Sequence, residues 1–264
     1  MEALLDAATI HAEFERWAQR ENADPRETDV ARFAGLLTHY LSQPLSDSEA
    51  AWAYKHLANV FACNAQPAEA VRVHEAFERW LPGKSPRLSV KPPSYNPAPE
   101  GSPAGAMGPD EIRLQFLAQS VQFATSYGAL GRYNDYVAKV DAALAGLSPT
   151  RDNLRLRFFA ILIVVDAARL ADDFDRAERG ILQANAVAEQ TEDAARVAEL
   201  RAFTVLSEIQ LARRQEDRAR CAQKLQEAFS LVEELEKDPS STREWRWFRD
   251  VLVDYFTWSK TDYS

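Results

Sequence analysis

Cysteine is scarce in this chain of 264 residues, which contains only Cys63 and Cys221. Two cysteines cannot form the disulfide framework of a small secreted domain, and no C-x2-C pair is present to hold a structural zinc. Both cysteines lie among apolar residues in helical patterns. We therefore expect two buried, reduced thiols.

Long apolar runs are also absent. The longest, Phe158 to Val165, ends at Asp166 after eight residues, whereas a membrane-spanning helix needs about 20. The N-terminal segment MEALLDAATI has no basic region followed by an apolar core, so no signal peptide is indicated. We expect a soluble cytoplasmic protein with no membrane partner.

An excess of positive charge is missing too. The chain carries 31 basic and 40 acidic residues, a formal net charge of −9. Proteins that bind nucleic acid by neutralising many phosphates are basic. The charge balance therefore argues against a nucleic-acid partner.

Motifs of nucleotide, phosphate-loop and zinc-protease chemistry do not occur in the sequence. His56, Cys63 and His74 have a spacing that could bring three metal ligands together, but no fourth ligand is evident. We therefore predict no metal, no cofactor and no enzymatic activity.

Proline is confined mostly to one segment, since eight of the 13 prolines fall between Pro82 and Pro109. The composition of residues 83–109 favours polyproline II or a disordered linker. Alternatively, the segment is itself a ligand for another domain. Its apolar anchors would then be Leu88, Val90, Tyr95 and Met107.

Outside this segment the apolar spacing predicts helices throughout. Ser46 with Glu49 and Ser241 with Glu244 fit reciprocal capping boxes, and Asp24 before Pro25 marks another helix start. The predicted helices cover residues 2–20, 25–42, 47–64, 68–81, 110–128, 132–147, 152–171, 174–190, 192–213, 216–237 and 242–258.

Small and aromatic residues recur across helix, turn and helix with a period of roughly 41 to 43 residues. The turns fall near Gly131, Asp172 and Gln215. The first copy is carried by Tyr54, Leu57, Ala58, Phe61, Ala70 and Pro82. A second contains Phe123, Ala124, Tyr127, Val140 and Ala143, and a third contains Ile161, Val164, Ala168, Phe174, Ala177, Ile181 and Ala184.

This pattern resembles the tetratricopeptide repeat (TPR) family, whose period is 34 residues, so the helices here are longer. The resemblance implies an all-α, antiparallel helix-pair α-solenoid. Residues 1–82 would hold the N-terminal helices with one TPR-like hairpin, residues 83–109 the loop or linker, and residues 110–264 further repeats.

In such families the first helix of each pair lines a groove that binds a partner. The resemblance places these residues on the groove: Lys55, His56, Asn59, Gln122, Thr125, Phe159, Leu162, Ile163, Asp166 and Arg169. Phe159, Leu162 and Ile163 would either be buried by the protein itself or serve as apolar anchors for a partner helix or peptide.

The last helix is rich in aromatic residues. Helical spacing places one stripe on a single face, and we expect this stripe to close the final hairpin as a cap. The stripe comprises Trp245, Phe248, Leu252, Tyr255 and Phe256. Trp247 and Trp258 lie off the stripe and are candidates for a homodimer contact.

The leading functional hypothesis is a scaffold or adaptor that binds another protein or a peptide. One alternative rests on Arg32 and His39, whose R-x6-H spacing resembles that of the HEPN family of helical ribonucleases. That resemblance implies RNA cleavage by these two side chains across a dimer. Another alternative is the sensory or scaffold subunit of a regulatory system.

Overall fold

The computed structural model describes residues 8–13, 27–63, 66–84, 88–89, 106–107, 109–126, 133–151, 153–192, 194–237 and 244–260. Within them, residues 8–13 belong to a helix, α1. The other helices are α2 (Glu27–Leu41), α3 (Asp47–Cys63), α4 (Pro67–Trp80), α5 (Pro109–Ser126), α6 (Tyr133–Gly146), α7 (Leu154–Leu170), α8 (Phe174–Ala188), α9 (Ala194–Arg214), α10 (Arg218–Leu235) and α11 (Glu244–Lys260).

The all-helical prediction is confirmed, and each of α2 to α11 begins and ends close to its predicted limits. Apolar residues at helical spacing and local start signals determine these limits, and both can be read from the sequence. Of the helix predicted over residues 2–20, residues 8–13 are described.

The capping box at the start of α3 is confirmed. The Ser46 amide donates to Glu49 Oε2 at 3.1 Å, and the Glu49 amide donates to Ser46 Oγ at 3.3 Å. These bonds satisfy two amides that have no partner within the helix. The start signals at Asp24 and Ser241 lie outside the described residues.

Contacts divide the chain into two compact units, Met1–Leu147 and Ser148–Ser264. In the first unit each helix from α2 to α6 packs on the next. Trp52 and Tyr40 are among its largest fully buried side chains. Phe77 of α4 stacks on Phe116 of α5 with ring centroids 4.0 Å apart, which joins the helices on either side of the Pro-rich segment.

Two short strands, β1 (Leu88–Ser89) and β2 (Ala106–Met107), pair antiparallel near the ends of the Pro-rich segment. Leu88 is opposite Met107, and β1 contacts α3. Both strands belong to the first unit. The Pro-rich stretch between them is therefore an insertion within that unit.

In the second unit α7 packs on α8, α8 on α9, α9 on α10 and α10 on α11, and α7 also contacts α9. Small residues allow close approach of α7 and α8, because a Cβ on Gly180 would overlap Val165 Cγ2. Cys221 lies fully buried in the cluster shared by α9, α10 and α11, as the sequence predicts.

Across the described residues, no helix combines the length and the apolar character needed to cross a bilayer.

Candidate partner-binding surface

Helices α7 and α9 present equivalent positions 44 residues apart, and at one of these positions both helices carry phenylalanine. Arg155, Phe159, Ile163 and Asp166 lie on one face of α7, because they are spaced by three or four residues. Their counterparts on α9 are Glu199, Phe203, Ser207 and Gln210. All eight side chains are partly or fully exposed. We call these eight residues the α7/α9 surface.

Phe159 and Phe203 join the two halves of this surface. Their ring centroids are 5.4 Å apart with an interplanar angle of 74°, an edge-to-face contact. Phe203 also contacts Trp245 and Phe248 of α11 at 6.3 and 6.2 Å. Aromatic side chains therefore run from α7 across α9 to α11.

A charged pair lies beside the aromatic contact. Arg155 Nη2 and Glu199 Oε1 are 3.2 Å apart, and these two residues are separated by 44 positions in sequence. The Arg155 guanidinium also lies over the Phe159 ring, 5.6 Å from its centroid. A positive group, a negative group and an aromatic ring therefore lie within a few ångströms of one another on this surface.

The predicted groove residues of α7 differ in exposure. Leu162 is buried, with 9% of its surface exposed, whereas Phe159 and Ile163 are half-buried. Asp166 forms an ion pair with Arg169 one turn later, and the Arg169 side chain is only 18% exposed. The accessible part of the predicted set on this helix is therefore Phe159, Ile163 and Asp166.

In the first unit, Lys55 and His56 are half-buried on α3. The His56 ring lies 4.7 Å from the Trp52 ring, and the His11 ring lies 4.1 Å from the same Trp52 ring. Burial lowers the pKa of His56 to about 3, and the charges of Lys55 and His11 add to this effect. His56 is therefore a neutral packing residue at pH 7. The side chains of Asn59, Gln122 and Thr125 lie outside the described residues.

The aromatic stripe on α11 packs largely as predicted. Trp245, Phe248 and Leu252 are buried in the cluster with α9 and α10, and Tyr255 packs against it. Phe256 departs from the prediction, since 46% of its surface is exposed.

Trp258, a predicted homodimer residue, contacts its own chain. Its ring lies under Arg213 of α9 at 5.6 Å and under Arg218 at 5.7 Å. These cation–π contacts hold the C-terminal turns of α11 on the unit. The side chain of Trp247 lies outside the described residues.

Arg32 and His39, the residues of the ribonuclease alternative, lie two turns apart on α2. The Arg32 side chain is 67% exposed, and its Nη2 is 3.9 Å from Glu13 Oε2. His39 is half-buried.

Among the described residues, no three His, Cys, Asp or Glu side chains are grouped so that they could hold a metal ion. No protein-family model matches this chain, and no curated protein matches it.

The α9 half of the surface is absent from the predicted groove residues. Phe203 and Glu199 stand at the same distance before the Gln215–Asp217 turn as Phe159 and Arg155 do before the Ala171–Asp173 turn. Aligning the two turns in the sequence identifies Phe203 and Glu199 as the equivalents of Phe159 and Arg155. The 44-residue shift between equivalent residues is slightly longer than the predicted period.

Proposed function

We propose that this protein is a scaffold that binds another protein through the α7/α9 surface, on a TPR-like stack of helix pairs. The observation that carries the proposal is the contact between Phe159 and Phe203. Equivalent residues of successive helix pairs meet there, as in proteins whose repeats stack side by side.

The surface has the composition of a protein-binding site. Aromatic rings and arginine are enriched where proteins bind one another, because they give a large contact area and adaptable polar contacts. Phe159 and Phe203 are each fixed by a neighbouring ring, Phe158 and Phe248 respectively. A partner would therefore meet apolar groups that lose little side-chain freedom on binding.

Charge and exposure indicate the type of partner segment. Ile163 and Phe159 offer apolar contact beside the carboxylate of Asp166 at one end and the Arg155–Glu199 pair at the other. An amphipathic segment, with apolar side chains on one face and charged groups at its edges, matches this order.

Affinity capture from the native cell with matched variants tests this function. Ser207→Arg adds bulk to the surface without removing a buried apolar group, because Ser207 is half-buried and its Oγ bonds only within its own helix, to the Phe203 carbonyl. Leu182→Glu is the control, since Leu182 is 69% exposed on α8, away from the surface.

We expect a set of proteins captured by the wild type and by Leu182→Glu that is lost with Ser207→Arg. Circular dichroism would establish that all three proteins are equally folded. If the captured set is the same for all three, the α7/α9 surface is not where the partner binds.

A further inference from the structure

We infer that a cleft in the first unit binds a phosphorylated small molecule that also carries hydroxyl groups, such as a sugar phosphate. The cleft lies where the end of α4, the turn after it, the start of α5 and the middle of α6 come together. This site is separate from the α7/α9 surface and does not depend on it.

The size and lining of the cleft fit a polar small molecule. Its volume is about 640 Å³, and sites for small molecules commonly measure about 300–1,000 Å³. A phosphate ion alone would leave most of this space to water. Seven of the ten residues that line the cleft are charged, so a ligand that matches it carries charged or hydrogen-bonding groups.

Glu78 of α4 holds two cations in the cleft, one from α5 and one from α6. Arg113 Nε donates to Glu78 Oε1 at 3.4 Å, and Lys139 Nζ donates to Glu78 Oε2 at 3.0 Å. One carboxylate offsets only one of the two positive charges, so these three residues together keep a net charge of +1. Since Glu78 already orders both cations, a ligand would immobilise less side-chain freedom on binding.

The two cations are more accessible than the carboxylate that holds them. The Glu78 side chain is 21% exposed, whereas Arg113 is 49% exposed and Lys139 is 41% exposed. The terminal nitrogens of Arg113 form no hydrogen bond with a described residue. A phosphate monoester brings up to two negative charges and three acceptor oxygens, which match the available donors of a guanidinium and an ammonium group.

Two further cations border the cleft. Lys84 lies in the turn after α4, with Nζ 4.7 Å from the centre of the Trp80 ring and 3.4 Å from Asp47 Oδ1. Arg79 is exposed and forms no ion pair with any residue that the structure describes. Lys84 is therefore already paired, while Arg79 is available to a ligand.

The remaining acidic residues of the cleft indicate what the rest of the ligand contains. Glu75 accepts a hydrogen bond from the Tyr136 hydroxyl group at 3.5 Å. Asp110 is exposed and lies one turn before Arg113 on α5. A carboxylate repels a second anionic group but accepts hydrogen bonds from hydroxyl groups. One phosphate group together with several hydroxyl groups therefore matches this lining.

Titration of the ¹⁵N-labelled full chain, followed by NMR at constant ionic strength, tests the inference. The probes are ribose 5-phosphate, glucose 6-phosphate and glycerol 3-phosphate, with ribose and inorganic phosphate for comparison. At least one of the three phosphorylated probes should bind saturably with a Kd of about 1 mM or lower, and about tenfold more tightly than inorganic phosphate. Ribose should not bind, and the amide signals of residues 81–84 and 109–113 should shift most.

Removal of the two held cations gives the main variant. Arg113→Gln/Lys139→Gln should weaken binding of the phosphorylated probe by about tenfold or more, because both charge-assisted contacts are lost. Arg72→Gln/Lys237→Gln is the control, since it removes the same charge at two exposed residues that do not line the cleft. Its affinity should equal that of the wild type.

A second comparison leaves the ion pairs of Glu78 intact, so it does not depend on how well the first variant folds. Arg79 and Arg72 are both exposed arginines on α4, but only Arg79 lines the cleft. Arg79→Gln should weaken binding by about two- to fivefold, as expected for an exposed ion pair. Arg72→Gln should have no effect.

Four results would overturn the inference: no saturable binding of any phosphorylated probe below about 10 mM, inorganic phosphate that binds as tightly as all three, a folded Arg113→Gln/Lys139→Gln variant with the affinity of the wild type, or equal affinities of Arg79→Gln and Arg72→Gln. None of these results bears on capture of a partner by the α7/α9 surface. The two proposals can therefore fail separately.

Discussion

Asp172 and Glu216 lie 44 residues apart and adopt the same left-handed backbone conformation, with φ of 58° and 59°. Each lies in the turn that follows the first helix of a pair, and the next residue caps the second helix. The Asp173 and Asp217 side chains accept from the amides of Arg176 and Arg220 at 3.3 and 2.9 Å. The same turn is thus formed twice, which positions α8 on α7 and α10 on α9.

The left-handed conformation leads to the first prediction. Glu216→Gly should raise the free energy of unfolding by about 0.5–1 kcal/mol, because glycine adopts positive φ without the Cβ clash that other residues incur. Urea titration at pH 7 would measure the change. Gln226→Gly, in the exposed middle of α10, should lower the free energy of unfolding by about 1 kcal/mol. If both substitutions destabilise, the turn at 216 is not left-handed in solution.

Gly180 should tolerate no larger side chain, since an alanine methyl group would overlap Val165 Cγ2. We expect Gly180→Ala to lower the free energy of unfolding by about 1–3 kcal/mol. A double-mutant cycle with Val165→Ala provides the control, because the smaller side chain makes room for the methyl group. The double variant should lose less stability than the two single losses added together. Additive losses would show that the helices do not meet at these two residues.

Stability of the first unit should depend on pH through His56 and His74. The pKa of each is lowered to about 3. Burial is the largest cause for His56 and the cause for His74. Both are therefore neutral in the folded chain and take up a proton on unfolding below pH 6.5. Above pH 6.5 the two histidines are neutral in both the folded and the unfolded chain, so their titration does not affect stability. As the pH falls from 6.5 toward 3, only the unfolded chain binds the protons, and the free energy of unfolding decreases.

Urea titrations at pH 7 and pH 5 would measure this loss, which we expect to be up to about 2 kcal/mol for each imidazole. His74→Gln removes one of the two titrating groups. The difference in stability between pH 7 and pH 5 should then be smaller than in the wild type. Equal differences would mean that His74 is accessible to protons in the folded state.

The capping box at α3 should be measurable by mutation of Ser46. Ser46→Ala removes the acceptor for the Glu49 amide and a hydroxyl that donates to Glu49 Oε2 at 2.6 Å. We expect a loss of about 1 kcal/mol in the free energy of unfolding. Ser230→Ala, in the middle of α10, is the matched control. It should be neutral or slightly stabilising, because alanine is the better helix former there. A loss no larger than that of the control would contradict the capping role.

Hydrogen bonding of Ser46 also lowers the pKa of Glu49, more than burial raises it. Because the pKa of Glu49 is lower in the folded chain than in the unfolded chain, the cap adds its full stability above the unfolded-chain pKa. This added stability is lost as the pH falls below that value. The difference in free energy of unfolding between the wild type and Ser46→Ala should therefore become smaller at acidic pH. A constant difference over this range would show that the carboxylate has no part in the cap.

The α7/α9 surface was only partly predictable from sequence. Phe159, Ile163 and Asp166 follow from the spacing of α7 and from the resemblance to helical repeats. Leu162 belongs to the same apolar run but is buried. The run from Phe158 to Val165 is apolar all round, so its pattern does not indicate which side faces a neighbouring helix.

The helices and their order follow from the amino-acid sequence alone, because helix starts and apolar periodicity depend on residues within a few positions of one another. Tertiary structure alone decided which side of each helix stayed accessible. Phe203 contacts Phe159, Trp258 contacts Arg213, and Val253 keeps 50% of its surface exposed. These outcomes depend on the rotation of each helix against its neighbours, which is set by the close packing of side chains distant in sequence.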